Sequence, residues 1–388
     1  MGTSPFAATQ HSIELSQPRY YAGVDIGGTE AKSVIVEVKN SEDPRILPGS
    51  DYGAPSEVAQ GPMYVTRKVI PNALRQSLSR AQVPARLIEG VGADFPAPVN
   101  ARGGVVLDLA NLKHPEWRGS KVRDGLVEGL KSVDDLNPQM VAVDNDAAAA
   151  MYGLVQELPP AERRKVILGF FIGTGLGGAK LLNAKNSFNN EGGGTEPGAT
   201  VMSFDELRYL LGKPGRASER RLEEFVSLTA IERQLPLLTA AGIVSLDHPI
   251  LQLGPKEGKT DWRVRAEKVI GFADQALIEG RMDDPFLRLF KVQQEALGRY
   301  LAILIQSDRP AHIFIGGGVV DPRRASEPFR KWYVEGIEAV AKEKIIQPMR
   351  QEMGFPKFHI PKDGDFAAPK GAALMAARVL GVIGKKKK

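Results

Sequence analysis

Five stretches of the chain carry residue types that could do chemistry. DIGGT (25–29), GTGLGG (173–178) and IGGGV (315–319) each place glycines in a short turn. With no Cβ in the way, backbone N–H groups can close on a bulky anion such as phosphate, and a threonine hydroxyl adds a donor. A simple hairpin turn is the alternative for any one of them; three in one chain are harder to dismiss. None is a Walker loop, which needs GxxxxGK[ST], and GTGLGG leads into a strand-like segment, where a dinucleotide fingerprint would open a helix. Asp25, beside the first turn, would repel phosphate directly and makes more sense near Mg2+. The fourth stretch is DND at 144–146, at a predicted strand end before a helix. Asp146 either caps that helix or serves as the base that phosphoryl transfer to a hydroxyl requires. A fifth stretch, EGGGTEPGATV (191–201), reads as a linker or as a tight loop presenting a carboxylate to a ligand.

The elements that must position these residues alternate between strand and helix. YYAGVDIGG followed by the β-branched run AKSVIVEV predicts two strands joined by a glycine turn. VILGFFIGTGLGGAKLL (166–182) repeats the pattern. LIEGVGADF, MVAVDND and HIFIGGGV read as further strands. Helices are expected over 62–82, after Asp146, over most of 204–237 with one starting near Arg221, over 286–307, and over 368–384 with a stop at Gly384. The repeated strand–glycine–strand unit suggests two related α/β halves with a ligand cleft between them. The expected division is 19–141 plus 366–384 against 142–365. Residues 1–18 and 385–388 are expected to be disordered.

The bulk composition excludes several classes. The chain has 388 residues and no cysteine, which rules out a disulfide framework and thiolate metal ligands. Net charge is +5, but Lys385 to Lys388 supply four of those charges, so the basic balance says little about nucleic acid or membranes. No apolar run approaches the ~20 residues of a membrane span, and the polar first 18 residues lack the apolar core of a secretory signal. A cytoplasmic protein is the default expectation, with no nucleic-acid or membrane partner.

Together the motifs resemble the ROK sugar-kinase family, of the two-domain actin-like ATPase (ribonuclease H-like, hexokinase) fold with its interdomain cleft. VDIGGTEAK resembles the family's first phosphate motif, DFPAPVN its VPGPVD turn and ANLKHPEW its PNLxGW segment. VDNDAAAAMYG resembles ENDANAAALGE, GTGLGG the second phosphate motif and IFIGGGVV the adenosine motif. The resemblance runs from about Tyr21 to Gly381. It implies ATP-dependent phosphorylation of a hexose, glucose first among candidates, with Asp146 as the base. Asn111, Asn145, Glu196 and Glu223 would bind the sugar. Gly27, Gly28, Thr29, Thr174 and Gly175 would line the phosphate path, and Gly316, Gly317 and Gly318 would approach the adenosine. Asp25 would help hold Mg2+, through water. A homo-oligomer fits the family pattern.

Departures from that pattern matter. Ala199 stands where the family has a zinc-binding His, Arg221 falls on a zinc Cys, and no zinc site is expected. Ala97 replaces a Gly in the PGP turn, and Glu30 replaces a frequent Lys. Lys32 either sits as in the polyphosphate-using branch or is a surface strand lysine. Two other readings therefore stand beside the ATP-dependent kinase: a non-catalytic sugar-binding regulator, and a sugar kinase with polyphosphate as donor.

Overall fold

The computed structural model describes residues 17–39, 44–109, 112, 114–182, 185–186, 195–256, 260–346, 354–362, 364 and 366–382. The tails expected to be disordered, 1–18 and 385–388, fall outside these apart from 17 and 18.

Two sheets share one strand plan. In the first, β1 (Arg19–Ile26) and β2 (Glu30–Val38) form the antiparallel hairpin expected from the glycine turn, with β3 (Pro44–Ile46) and β4 (Tyr52–Pro55) along β2. On the other side of β1 come β5 (Ile88–Phe95) and then β8 (Met140–Asn145), both parallel. A two-residue-strand hairpin, β6 (Val99–Asn100) with β7 (Val105–Val106), projects between them in sequence. In the second sheet β9 (Ile167–Ile172) and β10 (Leu176–Leu182) form the hairpin, with β11 (Lys185–Asn186) beside β10. The parallel partners are β14 (His312–Gly316) and β15 (Lys357–His359). The orders β3-β2-β1-β5-β8 and β11-β10-β9-β14-β15 are thus the same plan twice. The small hairpin of β12 (Val201–Phe204) and β13 (Ser218–Arg221) is separate from both.

Helices cover both faces of this pair. On the first half, α1 (Pro62–Tyr64) runs through a π-helical turn at Val65–Val69 into α2 (Ile70–Ala81), which with α3 (Val122–Leu130) closes one core around Trp117, Phe95 and Ile70. On the second half α5 (Glu206–Leu211), α6 (Leu228–Ala240), α7 (Asp261–Ile278), α8 (Pro285–Asp308) and α9 (Glu327–Lys344) build the largest core. The periodic apolar run at 286–307 is α8, started by the Asp284 cap and Pro285 and ended at Arg309 with φ 50°. No described helix is long and apolar enough to cross a membrane.

Between the sheets lie α4 (Asp146–Leu154) and α10 (Ala367–Val379). α10 packs on β1 and β5 of the first sheet, α4 packs on β9 and β10 of the second, and the two helices pack on each other. The approach is close enough to require glycine. A Cβ on Gly23 would overlap the Pro369 carbonyl, one on Gly92 the Ala372 carbonyl, and one on Gly371 the Ala149 carbonyl. A single apolar cluster, from Tyr21 and Val34 through Ala149 and Ala373 to Phe314, joins the halves.

Two expected elements differ. The 204–237 segment is not continuously helical: β13 interrupts it and α6 begins at Leu228, because Ser218–Arg221 pairs with β12 instead of continuing a helix. The last helix ends at Val379, before Gly381 at φ 74°, five residues short of the expected stop at Gly384.

Candidate active site

The carboxylates come from three adjacent strand ends. Asp25 of β1 is in register with Asp94 of β5, and Asp94 with Asp144 of β8. Registered residues on parallel strands project to the same face, so the three acids form a row at the carboxyl edge of the first sheet. Asp94 is completely buried, and neither carboxyl oxygen meets a protein donor. Burial pushes its pKa well above the usual carboxylate range, followed by the charge of Asp25, a hydrogen bond with it once a proton is shared, and the charges of Asp146 and Asp144. Burial likewise raises Asp144 to about 7, against the N–H of Asn145 at 2.8 Å, which pulls it down.

Asp146 is half-buried. Desolvation raises its carboxyl to about 7, helped by Asp25 and then Glu196, and opposed by hydrogen bonds from Ala147 N and Asn145. The cap of α4 is Asn145, not Asp146. The Asn145 side-chain Oδ1 accepts from Ala147 N (2.9 Å) and Ala148 N (3.3 Å), and Nδ2 donates to the Ala97 backbone carbonyl at 3.2 Å. That bond ties the strand end to the DFPAPV turn. Asp146 is the first residue of the helix proper, and one of its oxygens accepts from Ala147 N at 2.8 Å.

The glycines of the first two turns differ in what the protein itself demands. The first turn is closed by Gly27 N donating to Glu30 O at 2.8 Å, and a Cβ on Gly27 would come within 2.9 Å of that oxygen. Gly28 has nothing within 4 Å of where a Cβ would stand, and Thr29 beside it is exposed. In the second turn Gly173 N donates to Gly175 O at 3.0 Å, and Gly173 is equally open. A Cβ on Gly175 would stand 3.0 Å from Glu223 Oε2. Thr174 is held from behind: its carbonyl accepts from Thr229 Oγ1 at 2.7 Å, and its hydroxyl accepts from Arg263 Nη2 at 2.8 Å. The third turn has internal reasons for glycine. Gly317 has φ 93° and a Cβ there would overlap the Ile172 backbone, while Gly316 lies 2.9 Å from the Phe171 ring by the same construction. Gly318 faces Arg324.

Glu196 and Glu223 are brought together. Burial and then the charge of Glu223 raise the Glu196 carboxyl, although Glu196 keeps a face in solvent. The segment from Thr195 to Thr200 is anchored by its own backbone bonds. Thr195 bridges Gly178, a short 3-10 turn runs over Pro197–Ala199, and Leu222 N donates to Thr200 O at 2.7 Å. Gly198 is seated against Leu176 O and the Glu223 side chain. The β12–β13 hairpin, from Val201 to Arg221, joins the two acids, and the expected helix near Arg221 is present as a short 3-10 turn, Leu222–Glu224, which carries Glu223 and packs against the Pro197–Ala199 turn. Ala199 is exposed. Asn111 and the EGGG of 191–194 lie outside the described residues. Lys32 is not a surface lysine: its side chain is 16 % exposed, opposite Asp25 across the hairpin, with Glu30 at 3.7 Å.

Asp94, Asp144 and Arg263 were not among the expected site residues. The sequence did hold a signal for the first two, since each predicted parallel strand carries an Asp near its end. Arg263 lies 89 residues from Thr174, and nothing local marks it. Among the described residues no three His, Cys, Asp or Glu side chains are arranged to enclose a metal ion.

This duplicated α/β fold with acids and glycine turns at its strand ends defines the class: the ROK family model matches residues 21–379, and the chain belongs to the ROK family. Solved structures agree on the actin-like ATPase fold. The ROK family glucokinase from Streptomyces griseus, solved with glucose and AMPPNP, is 24 % identical with a TM-score of 0.65, covering 92 % of this chain and 99 % of that one. The ROK hexokinase from Thermus thermophilus is 22 % identical at TM-score 0.62, covering 93 % and 99 %. A ROK family transcriptional regulator, a homolog of the E. coli MLC protein, is 18 % identical at TM-score 0.63, covering 94 % and 79 %. No curated protein sequence matches the chain significantly.

Proposed function

We propose that the protein is an ATP-dependent sugar kinase acting on a hexose, glucose first among candidates, in the cleft between halves 19–141 plus 366–384 and 142–365. The observation that carries this reading is the place of Asp146, whose carboxyl responds to Asp25 on the phosphate-turn side and to Glu196 on the other. A base in phosphoryl transfer must reach the acceptor hydroxyl where that hydroxyl faces the donor phosphate, and a carboxylate close to both groups can do so. Asp146 takes the proton of one sugar hydroxyl as that oxygen attacks the terminal phosphorus and ADP leaves. Glu196 and Glu223 accept hydrogen bonds from other hydroxyls, and Asn145 has an Nδ2 proton beyond the one on Ala97. Asn111 is assigned to the sugar on the resemblance alone. Gly27, Gly28, Thr29, Thr174 and Gly175 line the phosphates, the openness at Gly28 leaving room for an anion. Gly316, Gly317 and Gly318 end the strand nearest the adenosine.

Mg2+ binds kinases through one or two carboxylates with phosphates and water, so no all-protein cage is needed. The unpartnered oxygens of buried Asp94 behind Asp25 fit such a cation, which Asp25 would hold through water. When bound it supplies positive charge to the transferring phosphoryl group.

The test is ADP release with ATP, Mg2+ and a hexose panel; no sugar-dependent release across the panel overturns the reading. Because a regulator shares the fold, a sugar-binding regulator is the second reading. Calorimetry showing sugar binding without turnover by ATP or polyphosphate would favour it. Turnover with polyphosphate alone would change the donor and keep the enzyme.

A further inference from the structure

The proposed cleft is lined by acids, which ionise as positive charge approaches them. Asp25, Asp94, Asp144, Asp146, Glu196 and Glu223 all stand in or behind it, and the donor brings a triphosphate with several more charges. One cation per nucleotide does not offset that in a site partly removed from water. The protein should therefore hold a fixed positive group on the phosphate path itself.

Arg263, one turn into α7, is placed there. Its Nη2 donates to the Thr174 hydroxyl at 2.8 Å and its Nη1 reaches Thr229 Oγ1 at 3.5 Å. Its acidic neighbours are looser, Glu232 at 3.7 Å and Glu267 at 3.6 Å. The side chain is 18 % exposed, so it is held in place without being sealed off. The α7 start is itself pinned, because Thr260 caps it through Arg263 N (3.1 Å) and donates to Glu232 at 2.8 Å. These contacts all bear on the GTG turn, whose Gly173 beside Thr174 leaves open space for a ligand.

We infer that Arg263 is a donor-phosphate residue, contacting the terminal phosphates of the nucleotide and aiming the Thr174 hydroxyl at them. The inference rests on the kinase reading for the identity of the donor. Its chemistry is simple. A hydroxyl that accepts from a guanidinium keeps its own proton free to donate, and that proton then points at an anion. The guanidinium is planar and permanently charged, so it can hold Thr174 with one N–H and a phosphate oxygen with another. Recognition of this kind reads the phosphate chain and ignores the base.

The test compares binding of ATP with Mg2+, inorganic tripolyphosphate and AMP to the intact chain and to Arg263→Gln and Arg263→Lys, by calorimetry. Arg263→Gln should weaken ATP and tripolyphosphate by about tenfold to a hundredfold, the scale of one or two charge-assisted hydrogen bonds. AMP affinity, glucose affinity and Tm should stay unchanged, and Arg263→Lys should recover part of the loss. Unchanged ATP affinity in Arg263→Gln overturns the inference, and so does an equal loss for AMP, which would mark a purely structural tether. Failure of the parent reading looks different: tripolyphosphate bound in an Arg263-dependent way, with no sugar-dependent turnover, sinks the kinase and leaves the phosphate site. An unmodified chain that binds neither ATP nor tripolyphosphate sinks both.

Discussion

Glu206 and Asp94 are both buried acids, 5 % and 0 % exposed. Glu206 opens α5 and is surrounded by donors. Arg233 grips it with two bonds, at 2.8 and 2.5 Å, Gln234 adds one at 3.2 Å, and Arg220 stands 3.4 Å away. Asp94 meets no basic or amide donor, and faces other acids, sharing at most a proton with Asp25. Burial is therefore a poor marker of a site by itself. A buried acid with its donors supplied holds elements together, here α5, β13 and α6 in the region where the resemblance led to the expectation of a lost zinc motif. A buried acid left without donors is destabilising, and it persists where something from outside completes it.

The sharpest way to break that contrast is on the unsatisfied side. Asp146→Asn should lower kcat at least about a hundredfold, the low end for a general base, with sugar and ATP affinities retained. An unchanged rate in steady-state assays would remove Asp146 from the mechanism. On the satisfied side, Glu206→Ala should destabilise by about 2–3 kcal/mol, short of the ~3–5 kcal/mol of a fully buried pair, because Arg233 keeps 30 % of its side chain in solvent. Denaturant unfolding measures this, and a change under about 0.5 kcal/mol would make the network ornamental.

A third experiment probes the acids at the strand ends of the first sheet through pH. Burial raises Asp144 and Asp146 to about 7 when folded against an ordinary 3.8, and Asp94 is likewise raised well above the usual range. The folded chain thus holds protons that the unfolded chain has released, and stability grows as pH falls through that window. The contribution is complete below about pH 4 and lost as pH rises through about 7. Tm in metal-free buffer should rise between pH 8 and pH 6, and Asp94→Asn should raise Tm at pH 8 while flattening the rise. A profile in Asp94→Asn identical to that of the parent would show that Asp94 carries no such strain. The smallest effect separates the glycines. Gly28→Ala should leave stability within about 0.5 kcal/mol and raise the KM for ATP, whereas Gly317→Ala should fail first in stability, given its φ of 93° and the Ile172 backbone against it. Equal stability loss in both would erase the distinction between open and packed turns.

Much of this was legible from local pattern. The hairpins at 25–29 and 173–178, the long α8 and the strand ending at DND all follow from periodicity and glycine placement within a few residues. The misreadings share a cause, which is dependence on distant partners. β13 looked helical because LEEFVSLTAI follows it, and only pairing with β12 makes Ser218–Arg221 a strand. Asp94 became a site residue through its register with Asp25 and Asp144, strands far apart in the chain. Asp146 looked like a cap because it is a good one; the Ala97 carbonyl helps to hold Asn145 in that place instead.

The pairing of α10 with β1 has a consequence for how the molecule is made. β1 leaves the ribosome early, yet the helix that lies against Gly23 and Gly92 starts at Ala367, after the whole second half has been synthesised. The first sheet must wait with that face uncovered, and α4 must wait with it. During translation the second half therefore has the chance to complete its outer core before α10 emerges to cover that face.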